Sequence, residues 1–195
     1  PPDRFAGDPK VVHLPVHDPD HPVFTYVSAV MLGHDLSVYE ALAREGTASA
    51  MAAIYRWFVT GASARDGFAA ALRLAAEPDS LPLLYHCSAG KDRTGWFTVV
   101  LLTALGADEA IIRADYLRTN EAAGAVNEAI LGAMLVRRPG VDLDAIRPVL
   151  EVRPEYLDAG YTEVDRVYGS FDRYLRDGLD LDDAARDALR ANLLD

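Results

Sequence analysis

The sequence predicts an α/β fold, in which helices pack on a central sheet whose middle strand ends at Cys87. Three observations lead there. "VVHLPV" (11–16) and "SLPLLYHC" (80–87) are short apolar segments bounded by turn-forming residues, as strands are. Long stretches of helical periodicity run between and after them. A glycine-containing loop then joins the second segment directly to a helix. Two strands cannot bury a core alone, so the expected fold is helix-rich.

Element by element, "HDPDHP" (17–22) follows the first strand as a polar, proline-rich loop. From about residue 35 to 77 the pattern is helical. "LSVYEALAREG" stops at Gly46, a suitable C′ position, and "ASAMAAIYRWFVTG" stops at Gly61. "ARDGFAAALRLAAEP" ends at Pro78. After the second strand, "TGWFTVVLLTALG" opens at Thr94 and is apolar nearly all round, so it belongs in the core. Asp108 is placed to cap "EAIIRADYLRTNE". Further helical segments fill 121–136 and 154–175, and a last one, capped near Asp180 or Asp182, runs through "AARDALRANLL". With no repeat, low-complexity tract or linker, residues 1–195 read as a single domain.

Composition narrows the function. The 195 residues carry a net charge of −11 and a pI near 4.8, a field that repels nucleic acid and anionic membranes. An anionic ligand must therefore be held by a local pocket of positive charge. The single cysteine excludes an internal disulfide, and no residue cluster has zinc-ligand spacing, so neither metal nor other cofactor is expected. No stretch approaches the roughly 20 apolar residues of a membrane span, and no signal peptide is evident. A cytoplasmic location is expected. Secretion stays open because the sequence begins at Pro1 rather than Met. The sequence does not reveal an oligomeric state.

The chemistry concentrates in "YHCSAGKDRTGW" (85–96). A short loop from Ser88 to Arg93 can turn its backbone N–H groups inward as a nest for an anion. The positive end of the following helix faces the same point. Arg93 can bind two oxygens of a phosphate with its planar fork. Cys87, beneath the nest, gains thiolate character from the N–H donors, the dipole and Arg93. The combination is a nucleophile under a bound phosphate. A nucleotide-binding loop of the GxxxxGK type is excluded, because its upstream glycine is missing.

This Cys-x5-Arg stretch, "HCSAGKDRTG", resembles the protein tyrosine phosphatases. It is similar more narrowly to the atypical bacterial and fungal group whose loop reads "AGKDRTG", and "ADYLRTN" (114–120) and "VRPEYLDAGYTEVDRVYGSFDRYL" (152–175) resemble segments of its actinobacterial members. The resemblance implies a tyrosine-phosphatase-like central sheet, with the family's N-terminal strands expected to be missing from this chain. It implies hydrolysis of phosphotyrosine monoesters through a cysteinyl-phosphate, with phosphoserine and phosphothreonine monoesters as further substrates. The substrate is then a phosphorylated protein or a phosphoinositide. A phosphoinositide phosphatase and a non-catalytic phospho-binding module are the rival readings.

The resemblance also distributes roles. Cys87 is the nucleophile and Arg93 the phosphate clamp. Ser88, Ala89, Gly90, Lys91, Asp92, Arg93 and Thr94 line the phosphate. His86 supports the thiolate through nearby backbone, and Thr94 does so through its hydroxyl, unless Thr94 is simply a helix N-cap. Lys91 is expected at the pocket rim, where a phosphoinositide would use it. The general acid is Asp92, within the loop, or Asp18, just after the first strand; Asp92 is preferred because a turn-forming role already explains Asp18. Trp57 and Phe58 are either core residues or part of a lid formed by 35–77.

Overall fold

The computed structural model describes residues 7–32, 34 and 44–194. Its helices are α1 (Pro22–Leu32), α2 (Thr47–Thr60), α3 (Ala62–Ala76), α4 (Asp92–Leu105), α5 (Glu109–Arg137), α6 (Leu143–Leu150), α7 (Pro154–Tyr168) and α8 (Asp183–Leu193). A single turn at Phe171–Arg173 runs on into a π-helical turn at Tyr174–Gly178.

The central sheet is not found. No strand occurs among the described residues, so the α/β expectation is corrected to a helix-rich packing. The physical reason is that a short apolar run reports burial and not backbone pairing. Residues 81–88 do alternate between an inner and an outer face, as a strand does. Leu83 and Tyr85 pack on the core, while Leu84 is 74% exposed. The Tyr85 ring meets Phe97 edge-on at 4.7 Å, and its hydroxyl lies 2.9 Å from Thr98 Oγ1. Side chains thus fasten this extended segment to α4. A strand also needs a backbone neighbour, and neither 11–16 nor 82–87 makes a backbone–backbone hydrogen bond among the described residues. The 11–16 segment instead seats Val16 over Gly67 of α3, where an added Cβ would come within 2.6 Å of Val16 Cγ2.

The core is built around α2, which lies against α1, α3, α4, α6 and α7. Its apolar circumference explains this centrality: Met51, Ile54, Tyr55, Trp57, Phe58 and Val59 are all buried. The Trp57 ring meets Phe24 edge-on and His21 at a tilt, and the Phe58 ring meets Tyr55 and Phe68 edge-on. Both are core residues, and the lid alternative receives no support from their placement. Of "LSVYEALAREG", residues 36–43 lie outside the described residues; Gly46 takes φ 84°, the left-handed region glycine favours.

Boundaries follow local chemistry. Gly106 ends α4 in the left-handed conformation. Asp108 occupies the N-cap of α5 without a side-chain capping bond, whereas Asp142 caps α6 by accepting from Asp144 N and Ala145 N. Asp182, not Asp180, caps α8. Helix α5 is one continuous 29-residue element where the sequence suggested two. Helix α1, unforeseen in the sequence, buries Val23, Tyr26, Ala29 and Val30 on one face.

Candidate active site

The extended segment delivers Cys87 to the head of α4, and the loop between them is shaped by Gly90 at φ 64°. Helix α4 begins at Asp92, with Lys91 at its N-cap position. Thr94 therefore lies inside the first turn rather than at the cap. Ser88, Ala89 and Gly90 are exposed at the loop's outer side.

Two opposed effects act on the Cys87 thiol. Partial burial pushes its pKa up. The Thr94 hydroxyl and the backbone N–H groups of Thr94, Ala89 and Lys91 pull it down, and they prevail: the pKa falls from the ordinary 9.0 to about 7. Thr94 Oγ1 is buried and has no hydrogen-bond partner of ordinary geometry among the described residues, so its hydroxyl is free to turn toward the sulfur. His86 Nδ1 lies 3.0 Å from the Cys87 carbonyl oxygen, a backbone contact beside the nucleophile. Arg93 Nη2 donates to Ser88 Oγ at 2.8 Å, closing the loop across its mouth.

Lys91 is not at the rim. Its side chain is only 7% exposed. Its ammonium donates to the Glu151 carbonyl at 2.9 Å and pairs with Asp92 Oδ1 at 2.9 Å. Burial of a four-carbon stem with its charge satisfied by two acceptors is the usual way such a lysine is tolerated inside a protein.

Asp92 Oδ1 also accepts from Tyr55 Oη at 3.1 Å. The Tyr116 hydroxyl donates in turn to Tyr55 at 2.7 Å. Burial and the neighbouring Asp92 carboxylate hold both phenols well above their ordinary pKa, so both stay protonated. Asp18 sits elsewhere in the hydrogen-bond pattern. Its Oδ1 accepts from Asp20 N at 3.0 Å, and its carbonyl accepts from His21 N, closing the turn that leads into α1. No hydrogen bond joins it to the loop among the described residues.

The segment that meets Lys91 is itself held from α5. Asn120 pairs with both backbone groups of Val152, donating to its carbonyl at 2.8 Å and accepting from its N–H at 2.9 Å. Asn127 donates to the Leu150 carbonyl at 2.9 Å. A small cavity of about 80 Å³ behind the loop is lined by Gly90, Thr94, Thr98, Asp115, Tyr116 and Thr119, among others. No group of three or more His, Cys, Asp and Glu is placed to hold a metal among the described residues.

Cys87 to Lys91 thus form the loop, and Asp92, Arg93 and Thr94 follow it in the first turn of α4. Sequence reasoning missed Tyr55, Tyr116 and the Glu151 carbonyl. Tyr116 stood within the quoted "ADYLRTN", but nothing local marks a tyrosine as a partner of a distant carboxylate.

The chain is similar to known proteins. The sequence profile of the "Tyrosine phosphatase family" matches residues 2–195. A Cupriavidus necator protein named "Putative tyrosine-protein phosphatase" is 42% identical over 118 residues, covering 60% of this chain and 42% of that protein. The "Triple specificity protein phosphatase PtpB" of Mycobacterium tuberculosis is 37% identical over 133 residues, covering 63% of this chain and 47% of that protein. The chain thus spans less than half the length of these two relatives in the matched regions.

Proposed function

This chain belongs to the tyrosine phosphatase family, and from that premise we propose that it hydrolyses phosphotyrosine monoesters of proteins through a cysteinyl-phosphate intermediate. The observation that carries the proposal is the Cys87 thiol at about pKa 7 within a ring of loop N–H donors, on the short loop that leads to Arg93. A module that only bound phosphate would gain nothing from an ionised thiol beneath it.

The reaction has two displacements. Cys87 Sγ attacks phosphorus, the S–P bond forms, and the P–O ester bond breaks. Asp92 gives its proton to the leaving phenoxide. Water then attacks phosphorus, its proton passes to the Asp92 carboxylate, and the S–P bond breaks to restore the thiolate. Arg93 and the loop N–H groups hold the equatorial oxygens through both steps. For this, Arg93 exchanges its bond to Ser88 for one to phosphate. The position of Asp92, next to Arg93 at the head of α4, favours it over Asp18 as the acid, since Asp18 closes a separate turn.

The exposure of Ser88, Ala89 and Gly90 supports access by phosphoserine and phosphothreonine as well, and the mycobacterial relative is named a triple specificity protein phosphatase. The phosphoinositide reading rested on Lys91 as a rim cation. With Lys91 committed to Glu151 and Asp92, that support is withdrawn.

Rapid quenching in acid during turnover of p-nitrophenyl phosphate tests the mechanism. The wild-type protein should release p-nitrophenol in a burst matched by one acid-trapped phosphate per Cys87, and Cys87→Ser should show neither burst nor turnover. Turnover that survives Cys87→Ser would refute the assignment.

A further inference from the structure

We propose that Tyr55 is a positioning residue for Asp92, the last member of an oriented hydroxyl relay that fixes the transferable proton on Asp92 Oδ2. The inference rests on the reading of Asp92 as general acid.

The relay starts at Tyr116. The Tyr116 hydroxyl donates to Tyr55 at 2.7 Å. The Tyr55 hydroxyl, its ring fully buried, donates to Asp92 Oδ1 at 3.1 Å. Each phenol has one proton, and each proton has one destination.

The opposite polarity fails on charge and proton count. If Tyr55 donated back to Tyr116, its oxygen would face Asp92 Oδ1 with lone pairs alone. Oδ1 would then need to carry the proton itself. Yet the Lys91 ammonium, which has donors and no acceptor, already points at that oxygen from 2.9 Å. Two donors, one of them charged, therefore hold Oδ1 as an acceptor in both protonation states of the carboxyl group. A proton taken up by Asp92 must sit on Oδ2, which has no hydrogen-bond partner among the described residues. The carboxyl plane is set from two sides, by Lys91 within the loop and by Tyr55 from α2. Glu151 keeps Lys91 in place through its carbonyl, and Asn120 holds the neighbouring residue of that segment.

The contribution is to orientation, which matters only when proton transfer limits the rate. The test compares phenyl phosphate, a poor leaving group, with p-nitrophenyl phosphate, a good one, in Asp92→Asn, Tyr55→Phe, Tyr116→Phe and the double tyrosine variant. Asp92→Asn should lose about 10²–10⁴ more in kcat on phenyl phosphate than on p-nitrophenyl phosphate. Tyr55→Phe should show the same selectivity, with roughly a tenfold difference between the substrates and KM little changed. Tyr116→Phe, which leaves the Tyr55 donor in place, should show roughly a two- to threefold difference. The double variant should equal Tyr55→Phe, because the effects act through one bond.

Equal losses of Tyr55→Phe on both substrates would mean a packing role and overturn the relay, as would no loss at all. If Tyr55→Phe does not fold, Tyr116→Phe decides the matter, and its lack of leaving-group selectivity overturns the relay. An Asp92→Asn enzyme without that selectivity overturns the acid reading and the relay together. Selectivity in Asp92→Asn but in neither tyrosine variant overturns the relay alone.

Discussion

Cys87 is poised by a difference between opposed effects, so removing one donor should move it measurably. Thr94 supplies both a hydroxyl and a backbone N–H to the sulfur. Thr94→Ala deletes only the hydroxyl. The thiol pKa, now about 7, should rise by roughly half to one pH unit toward its ordinary value. The sign is fixed: hydrogen bonds to the thiolate favour the charged form, and losing one favours the neutral thiol. Alkylation by iodoacetamide, followed against pH, should shift its midpoint upward in Thr94→Ala, with rates falling about three- to tenfold near pH 6–7 and converging with wild type above the ordinary thiol pKa. An unchanged midpoint would return Thr94 to a purely structural role. The Cys87–Arg93 chemistry was legible because its parts are neighbours in sequence. Lys91 was read as an exposed cation because sequence shows its charge but not the Glu151 carbonyl, which arrives from far along the chain. Tyr55 and Tyr116 escaped for the same reason.

At the scale of elements, the nucleophile loop depends on how closely α4 and α7 approach. The contact is Gly160 of α7 on Trp96 of α4, a fully buried ring. A Cβ at Gly160 would come within 2.4 Å of Trp96 Cζ3 and 2.7 Å of Cη2. Those are atoms of a rigid indole, boxed in by Tyr55, Tyr161, Phe171 and Tyr174, so the ring cannot swing aside. Gly160→Ala should destabilise the fold by about 1–3 kcal/mol through overpacking, despite alanine's better helix propensity. Urea denaturation read by Trp fluorescence checks this, and a neutral or stabilising result would show that the helices can separate freely. The helices on either side of this contact were visible in the sequence, since strong periodicity and terminal glycines are local signals. The sheet was over-read because residues 80–87 form a short apolar run between turn-forming residues, as a strand does. Such a run records burial, and only a second segment could reveal whether the backbone is paired. Helix α1 was missed behind the proline-rich "HDPDHP", yet Pro22 sits at its first position, where its absent N–H has no partner to lose.

Across the whole molecule, an acidic chain is set to process an anion. The net charge of −11 repels a phosphate ester at long range, whereas Arg93 and the loop N–H groups attract it only on arrival. Salt separates these two effects by distance. The Debye length shortens from about 30 Å at 0.01 M to about 8 Å at 0.15 M, which screens the diffuse repulsion strongly and contacts within the loop far less. Raising sodium chloride from about 10 to 150 mM should therefore increase kcat/KM for phenyl phosphate by roughly two- to fivefold. A chemical control removes turnover from the comparison. The rate of Cys87 alkylation by iodoacetate, an anion, should rise with salt relative to that by neutral iodoacetamide, because both reagents meet the same thiolate and differ only in charge. If kcat/KM and the iodoacetate ratio both fall with salt instead, the local field of the loop extends beyond its walls and governs encounter against the charge of the whole chain.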